Sequence, residues 1–303
     1  MRDLRKGGDP QLRAIQNVIA DVSPDILLLT DFDYDLDALA LGKFALMTGY
    51  PHHFAARPNT GMATGLDLDG DGYRGDARDA QGYGRFAGDG GMAILSRMAI
   101  DPQQVRSYSD LLWRDLPGAV LPQVDGQLFP SDAAIAVQRL STGAHWIVPV
   151  GPVSLLAWSA TPPVFDGPED RNGLRARDEL RLTRMMIDDV TGPFVVLGNA
   201  NLDPVDGQGH PDAMAAFLAD PRIQDPRPTS AGAKAAADPR HAGDPATDTA
   251  DWPDDGPGNL RVSYVLPSAD LQVTGAGVFW PKDDAGLVTA GAHRLVWVDI
   301  AVP

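Results

Sequence analysis

Phe194-Val195-Val196-Leu197-Gly198-Asn199-Ala200-Asn201-Leu202-Asp203-Pro204 is the stretch from which the rest of the chain can be ordered. An apolar run with two β-branched valines stops at a glycine and passes into amides and an Asp-Pro turn. That is the pattern of a buried strand delivering polar side chains to a sheet edge. Binding and catalytic groups concentrate at such edges, where a rigid strand positions a variable loop. The polar pair here is Asn199 and Asn201. A strand end that holds a metal or a general base calls for a carboxylate, and two amides bring none.

Working outward, Asp25-Ile26-Leu27-Leu28-Leu29-Thr30 predicts another buried strand, emptying into Asp31-Phe32-Asp33-Tyr34-Asp35. Gly90-Gly91-Met92-Ala93-Ile94-Leu95-Ser96 predicts a short inner strand, and further strands are expected over 137–140, 146–148, 153–158, 261–266 and 294–300. Asp9-Pro10 followed by Leu12, Ile15, Val18 and Ile19 reads as a capped helix with an apolar stripe, ended by Ser23-Pro24. Other helices are expected over 37–47, 177–188 and 211–218. Between them lie long loops at 58–90, 159–175 and 226–257, the last rich in Pro, Ala, Asp and Gly. Helix and strand do not alternate regularly enough for a doubly wound sheet. The pattern predicts an α+β fold, a two-layer β-sandwich flanked by helices, as one domain over 1–303.

Composition narrows the partners. Lys+Arg 25 against Asp+Glu 41 gives a formal charge of -16, which repels a phosphate backbone and argues against general nucleic-acid binding. A small anionic ligand could still be held by local arginines. Arg57, with Arg171, Asn172 and Arg175 in the second long loop, is the candidate rim for forked hydrogen bonds to such an anion. The alternative is that Arg171 and Arg175 pair with nearby acids and order the loop. The absence of cysteine excludes disulfides, thiolate metal sites and Cys nucleophiles. No apolar run reaches the ~18 residues needed to span a bilayer, and no signal peptide stands at the start of the chain as given.

The loop at 58–90 contains Asp67-Leu68-Asp69-Gly70-Asp71-Gly72-Tyr73. Alternate aspartates followed by glycine form the first half of an EF-hand-type calcium loop, with Asp67, Asp69, Asp71 and the Tyr73 carbonyl as candidate ligands. The place of the usual bidentate Glu is taken by Arg78, with Asp76 and Asp79 nearby. The alternative is a solvated acidic turn.

Taken in order, Leu27 to Asp33, Gly91 to Arg97, Thr161-Pro162-Pro163-Val164-Phe165-Asp166-Gly167, Gly198 to Pro204, Leu260 to Ser268 and Ala292 to Val296 resemble the endonuclease/exonuclease/phosphatase superfamily, within it a bacterial, often exported branch. The resemblance implies a deoxyribonuclease I-like fold, hydrolysis of phosphoester bonds with Mg²⁺ or Mn²⁺, and a periplasmic or secreted location. It also implies an opening strand with an active-site asparagine, which the chain as given lacks. Matched position by position, the metal-binding Glu is Asp31, a histidine is Ser159, and the first aspartate of Gly-Asp-x-Asn is Asn199 with Asn201 kept. An aspartate before Tyr264 is Ser263, and one before the final histidine, His293, is Ala292.

These replacements remove acids and one histidine from a single site. The expectation is a pseudoenzyme that keeps the scaffold, with His293 and Asn201 as what remains of the catalytic set, and binds an anionic ligand or a protein partner. One rival is a divalent-metal phosphoesterase with a reduced site, Asp31, Asn201 and His293, with Asp33 or Asp203 as substitute ligands. Another is a calcium-stabilised interaction module.

Overall fold

The computed structural model describes residue 4, residues 7–283 and residues 286–302. In chain order its strands are β1 (Ile26–Phe32), β2 (His52–Phe54), β3 (Gly91–Ser96), β4 (Arg106–Ser107), β5 (Gln123–Val124), β6 (Gln127–Leu128), β7 (His145–Val150), β8 (Val153–Ser159), β9 (Phe194–Asn199), β10 (Ala250–Asp251), β11 (Asn259–Leu260), β12 (Ser263–Pro267), β13 (Gln272–Phe279) and β14 (Leu295–Ala301). A three-stranded antiparallel sheet has the order β1-β3-β2. A five-stranded mixed sheet has the order β12-β9-β8-β7-β4, with β8 and β9 as its parallel pair.

Side chains of a strand alternate between faces, and here that alternation builds separate cores. Met92 and Ile94 of β3 meet Trp146 and Val148 of β7, Leu155 and Ala157 of β8, and Val195 and Leu197 of β9 between the two sheets. The intervening residues face outward. Leu156, Trp158, Val196, Tyr264 and Leu266 pack under helices Arg171–Met186 and Pro211–Leu218. Leu27, Ala93 and Leu95 pack under helices Pro10–Val22 and Leu39–Thr48. The result is the predicted α+β sandwich, helices outside and sheets within.

Local signals explain several boundaries. The Asp9 carboxylate accepts the Leu12 N–H at 2.9 Å and caps helix Pro10–Val22. Gly49, in the left-handed region at φ 78°, ends helix Leu39–Thr48.

Elsewhere the structure departs from expectation. Residues 137–140 form no strand: Ser131 caps a helix over Asp132–Val137, and Arg139 makes an isolated bridge to Leu112. The helix expected over 177–188 begins at Arg171, so the second long loop ends at 170. Its N-cap, Asp170, has φ 52° and no side-chain cap bond, which removes the usual start signal. The stretch 226–257 is no featureless coil; it carries helix Ala231–Ala235, a 3₁₀ turn at Pro245–Thr247 and β10. Strand β13 was not anticipated, and it pairs antiparallel with β14.

Candidate functional site at the end of β8, β9 and β12

Ser159, Asn199 and Ser263 stand side by side. Ser159 is in register with Asn199 across β8 and β9, and Asn199 with Ser263 across β9 and β12. Each continues the inner face of its strand, after Leu155 and Ala157, after Val195 and Leu197, and before Val265. The three side chains therefore form one polar row at the end of the inter-sheet core, and His293 joins it with Nδ1 3.4 Å from the Ser263 hydroxyl.

Asn199 is 8% exposed, and its Oδ1 accepts the Asn201 N–H at 3.1 Å. Its amide nitrogen donates to no described residue. Asn201 sits in the left-handed region at φ 51° and donates its amide to the Ala160 carbonyl at 2.7 Å, bracing the end of β8 against the corner after β9. Ala292 contributes only backbone, its carbonyl accepting the Asp251 N–H at 3.0 Å.

Thr249 and Trp252 complete the site, and the sequence did not point to either. The Thr249 hydroxyl oxygen accepts from Val262 N–H at 2.9 Å and Ser263 N–H at 3.0 Å, while its carbonyl accepts the Arg294 N–H at 2.8 Å. One residue thus holds both arms of the Ser263–His293 contact. Trp252 meets the His293 ring edge-on at 5.2 Å. The ring keeps an exposed edge, yet crowding by these neighbours and then the Arg294 charge lower its pKa below the ordinary histidine value. Arg294 is fixed by the Asp251 carboxylate at 2.7 Å and by cation–π contact with Trp280.

Asp31 lies at the β-bulge of β1, with φ 58°. Desolvation, then the charges of Asp33 and Asp89, raise its carboxyl above the usual range. Asp203 is closed as a substitute ligand: Val205, Asp206 and Arg261 N–H groups donate to its two oxygens at 2.7–2.9 Å. Mg²⁺ and Mn²⁺ favour carboxylate oxygen, and the row of hydroxyls, amide and imidazole supplies no negative charge. It does not fit such a metal.

The loop at 67–71 is different. Among the described residues, Asp67, Asp69 and Asp71 are the group whose carboxylate oxygens lie within 4.8 Å of one another. Gly70 and Gly72 N–H groups donate to Asp67, and Gly72 has φ 87°, as a sharp chelating turn requires. Arg78 lies 3.6 Å from Asp69. Asp79, fully engaged with N–H groups of Leu68, Gly75 and Asp76, closes the loop from beneath.

The arginine rim needs correction. Arg175 is 3% exposed and donates to the carbonyls of Gln81, Arg139, Leu140 and Ser141. Arg171 is 8% exposed and donates to Gln138 Oε1 at 2.9 Å. Asn172 donates to the Val164 carbonyl at 2.7 Å. These groups order loops; only Arg57 is exposed. Helical placement from residue 171 turned both guanidinium groups inward.

Beneath them Glu179 is fully buried and accepts from the N–H groups of Thr142 at 2.6 Å and Thr161 at 2.8 Å. Burial pushes its carboxyl up to about 7, against the opposing pull of Arg175 and these donors. His145, also buried, contacts the Ser141 hydroxyl through Nδ1 and the Glu179 carbonyl through Nε2, and desolvation lowers its pKa to about 3. It is a structural, neutral imidazole.

No helix among the described residues is long and apolar enough to cross a membrane. Comparison with curated proteins gives no match. Solved structures do match. An endonuclease/exonuclease/phosphatase from Beutenbergia cavernae is 16% identical with a TM-score of 0.59, over 97% of this chain and 66% of that one, just under two thirds of its length. A 3′ phosphatase from Neisseria bound to a product DNA hairpin is 17% identical with a TM-score of 0.51, over 96% of this chain and 94% of that one. An AP endonuclease from Archaeoglobus fulgidus is 10% identical with a TM-score of 0.52, over 97% and 95%. At these identities the likeness shows the deoxyribonuclease I-like fold, and the DNA-bound neighbour runs against excluding nucleic acid for that fold. The model of the Endonuclease/Exonuclease/phosphatase family matches residues 4–294, so the chain belongs to that family.

Proposed function

We propose that this chain is a binding member of the family that has lost metal-dependent phosphoester hydrolysis, and that its ligand is a small phosphorylated molecule or a phosphate group on a partner. The observation that supports this is the acid-free row. Ser159, Asn199, Ser263 and His293 offer hydrogen-bond donors to an anionic oxygen, while no carboxylate among them could hold a metal or take a proton from water. The aspartate that the resemblance leads one to expect as base is absent from the row, and such a base is worth ~10²–10⁴ in rate. The excess of Asp+Glu 41 over Lys+Arg 25 disfavours a long polyanion but leaves a single phosphate group admissible.

The test pairs turnover with binding. With Mg²⁺ or Mn²⁺ present, nitrophenyl phosphate and bis(nitrophenyl) phosphate should be hydrolysed no faster than in buffer. Calorimetry should detect phosphomonoester binding that His293→Ala weakens about tenfold, or ~1.4 kcal/mol. Metal-dependent turnover abolished by His293→Ala would establish the reduced phosphoesterase instead. Absence of both turnover and binding would leave the row without a ligand and overturn the proposal.

A second reading is favoured by the convergence of Asp67, Asp69 and Asp71: the loop holds calcium as a structural ion. Saturating Ca²⁺ should raise the Tm by roughly 5 °C at a hundredfold excess over Kd. Asp69→Ala should remove that rise, and an unchanged Tm in the wild type would dismiss the site.

A further inference from the structure

Glu179 carries a carboxylate into the interior at 0% exposure, on the helix Arg171–Met186. A buried ion is a weak source of stability, because the cost of taking it out of water offsets most of what its partners return. What such a group can fix is geometry. Its two oxygens go to two different strand ends: Oε1 accepts the Thr142 N–H at 2.6 Å and Oε2 the Thr161 N–H at 2.8 Å.

Those ends frame the polar row. The paired register of β7 and β8 begins at His145 and Trp158, so the ladder between them stops one residue short of Ser159. Beyond it, the Gly143 N–H reaches the Ser159 carbonyl only at 3.4 Å. On the other side β8 is held to β9, where the Ala160 N–H meets the Asn199 carbonyl at 2.9 Å. Thr161, two residues past Ser159, and Thr142, beside Gly143, are then joined to each other through one carboxylate. Glu179 supplies the rung that the ladder lacks.

The rung has firm supports. The Glu179 main-chain carbonyl accepts the Thr183 hydroxyl at 3.0 Å and contacts His145 Nε2 at 3.2 Å. One turn earlier, Arg175 donates to the carbonyls of Leu140 and Ser141, so the same helix grips the segment leading into β7 by its carbonyls and by an N–H group. Asn59 ties that segment too, its N–H donating to the Gly143 carbonyl at 2.9 Å and its side-chain amide to the Ser141 carbonyl at 2.8 Å. The helix packs on Leu156 and Trp158, whereas Ser159 continues the opposite face of β8. Glu179 therefore touches no ligand of the row and acts on it through the backbone.

We infer that Glu179 is a positioning residue for the polar row: by joining Thr142 to Thr161 behind the sheet, it sets where Ser159 stands beside Asn199, and so how well the two converge on an anionic oxygen. The inference rests on the reading of the row as an anion site. Glu179→Gln isolates the effect, because the amide keeps one acceptor oxygen but turns an NH₂ group toward the other N–H. One strand end is released while the helix stays packed.

The experiment compares wild type, Glu179→Gln, Glu179→Asp and Met186→Ala at pH 8.5, above the value of about 7 to which burial lifts the Glu179 carboxyl. Met186, fully buried two turns further along the same helix, is the control for lost packing. Calorimetry measures phenyl phosphate binding, and NMR measures hydrogen exchange of the Ala160 amide relative to the core amides of β8. Glu179→Gln should weaken binding about tenfold, the loss of one well-aimed hydrogen bond to a charged group. It should also speed Ala160 exchange relative to the core, as a local opening does. Met186→Ala should lower the Tm and leave both readouts at their wild-type values. Glu179→Asp, one methylene too short to span both N–H groups, should repeat both changes and decides the matter if the glutamine variant fails to fold. Binding weakened equally by Glu179→Gln and Met186→Ala, or by neither, would overturn the inference. If wild type binds no phenyl phosphate, the reading of the row as an anion site fails, and Ala160 decides the remainder. Faster relative exchange confined to the Glu179 variants would uphold the positioning role, and the same relative exchange in all four proteins would overturn it.

Discussion

Glu179→Ala lowers folding stability by about 3–5 kcal/mol in urea unfolding at neutral pH, the loss that follows removal of one partner from a buried charged set. The alanine would leave the Thr142 and Thr161 N–H groups orphaned inside the protein, at about 1–3 kcal/mol each. It would also take the counter-charge from Arg175, whose guanidinium is already disfavoured by burial. Glu179→Gln keeps an acceptor oxygen of the same reach and should lose less than half as much. Equal losses for the two variants would show that packing, rather than the hydrogen-bond network, sets the effect. The pH trend carries a definite sign. Burial raises the Glu179 carboxyl to about 7, so its contribution grows as pH falls from about 7 toward 4.5 and is smallest on the alkaline side.

Gly198→Ala is the second large effect, expected to exceed about 4 kcal/mol or to abolish cooperative unfolding. A Cβ at this position would lie 2.0 Å from the Trp158 carbonyl oxygen and 2.9 Å from the indole ring. Neither can retreat: Trp158 is fully buried and pairs in register with Gly198 along the parallel β8–β9 seam. Because the next residue is Asn199, forcing the seam apart also displaces the centre of the polar row. Near-UV circular dichroism should report the loss of tryptophan packing, and a wild-type spectrum with wild-type stability would refute the clash.

The glycine that stops the apolar run at 198 was legible as punctuation, and so was the strand before it. So were the helices at Pro10–Val22 and Pro211–Leu218, because their signals are local: a proline at the first helical position and apolar spacing. The failures have equally particular causes. A short segment at 137–140 suggested a strand, and the Ser131 cap that starts a helix over Asp132–Val137 was overlooked. In β13 two glycines weaken the strand pattern. Gly277 is needed because the Trp297 indole occupies the space its side chain would fill, 2.7 Å from a Cβ, and no nearby residue announces that.

The site divides along the same line. Ser159, Asn199, Ser263 and His293 were gathered by resemblance to a family, and the strand register then placed the first three in a row. Thr249 and Trp252 come from a stretch read as coil, where long-range bonds such as those from Ala242 and Gly243 to Asp206 create the order. Arg171 and Arg175 follow the alternative of ordering loops rather than lining a rim, because the helix beginning at Arg171 turns both inward, Arg175 toward backbone carbonyls and Arg171 toward the Gln138 side-chain oxygen instead of toward acids.

The alternation along β8, β9 and β12 separates architecture from reactivity. Ser159, Asn199 and Ser263 occupy the terminal inner positions of their strands, outside the apolar contacts that join the two sheets. Exchanging them for acids or imidazole would recolour the edge electrically without opening a cavity beneath it. An acid-free and an acid-bearing version of this protein are therefore near neighbours in sequence space, and a lineage could cross between them in either direction while its scaffold stayed the same.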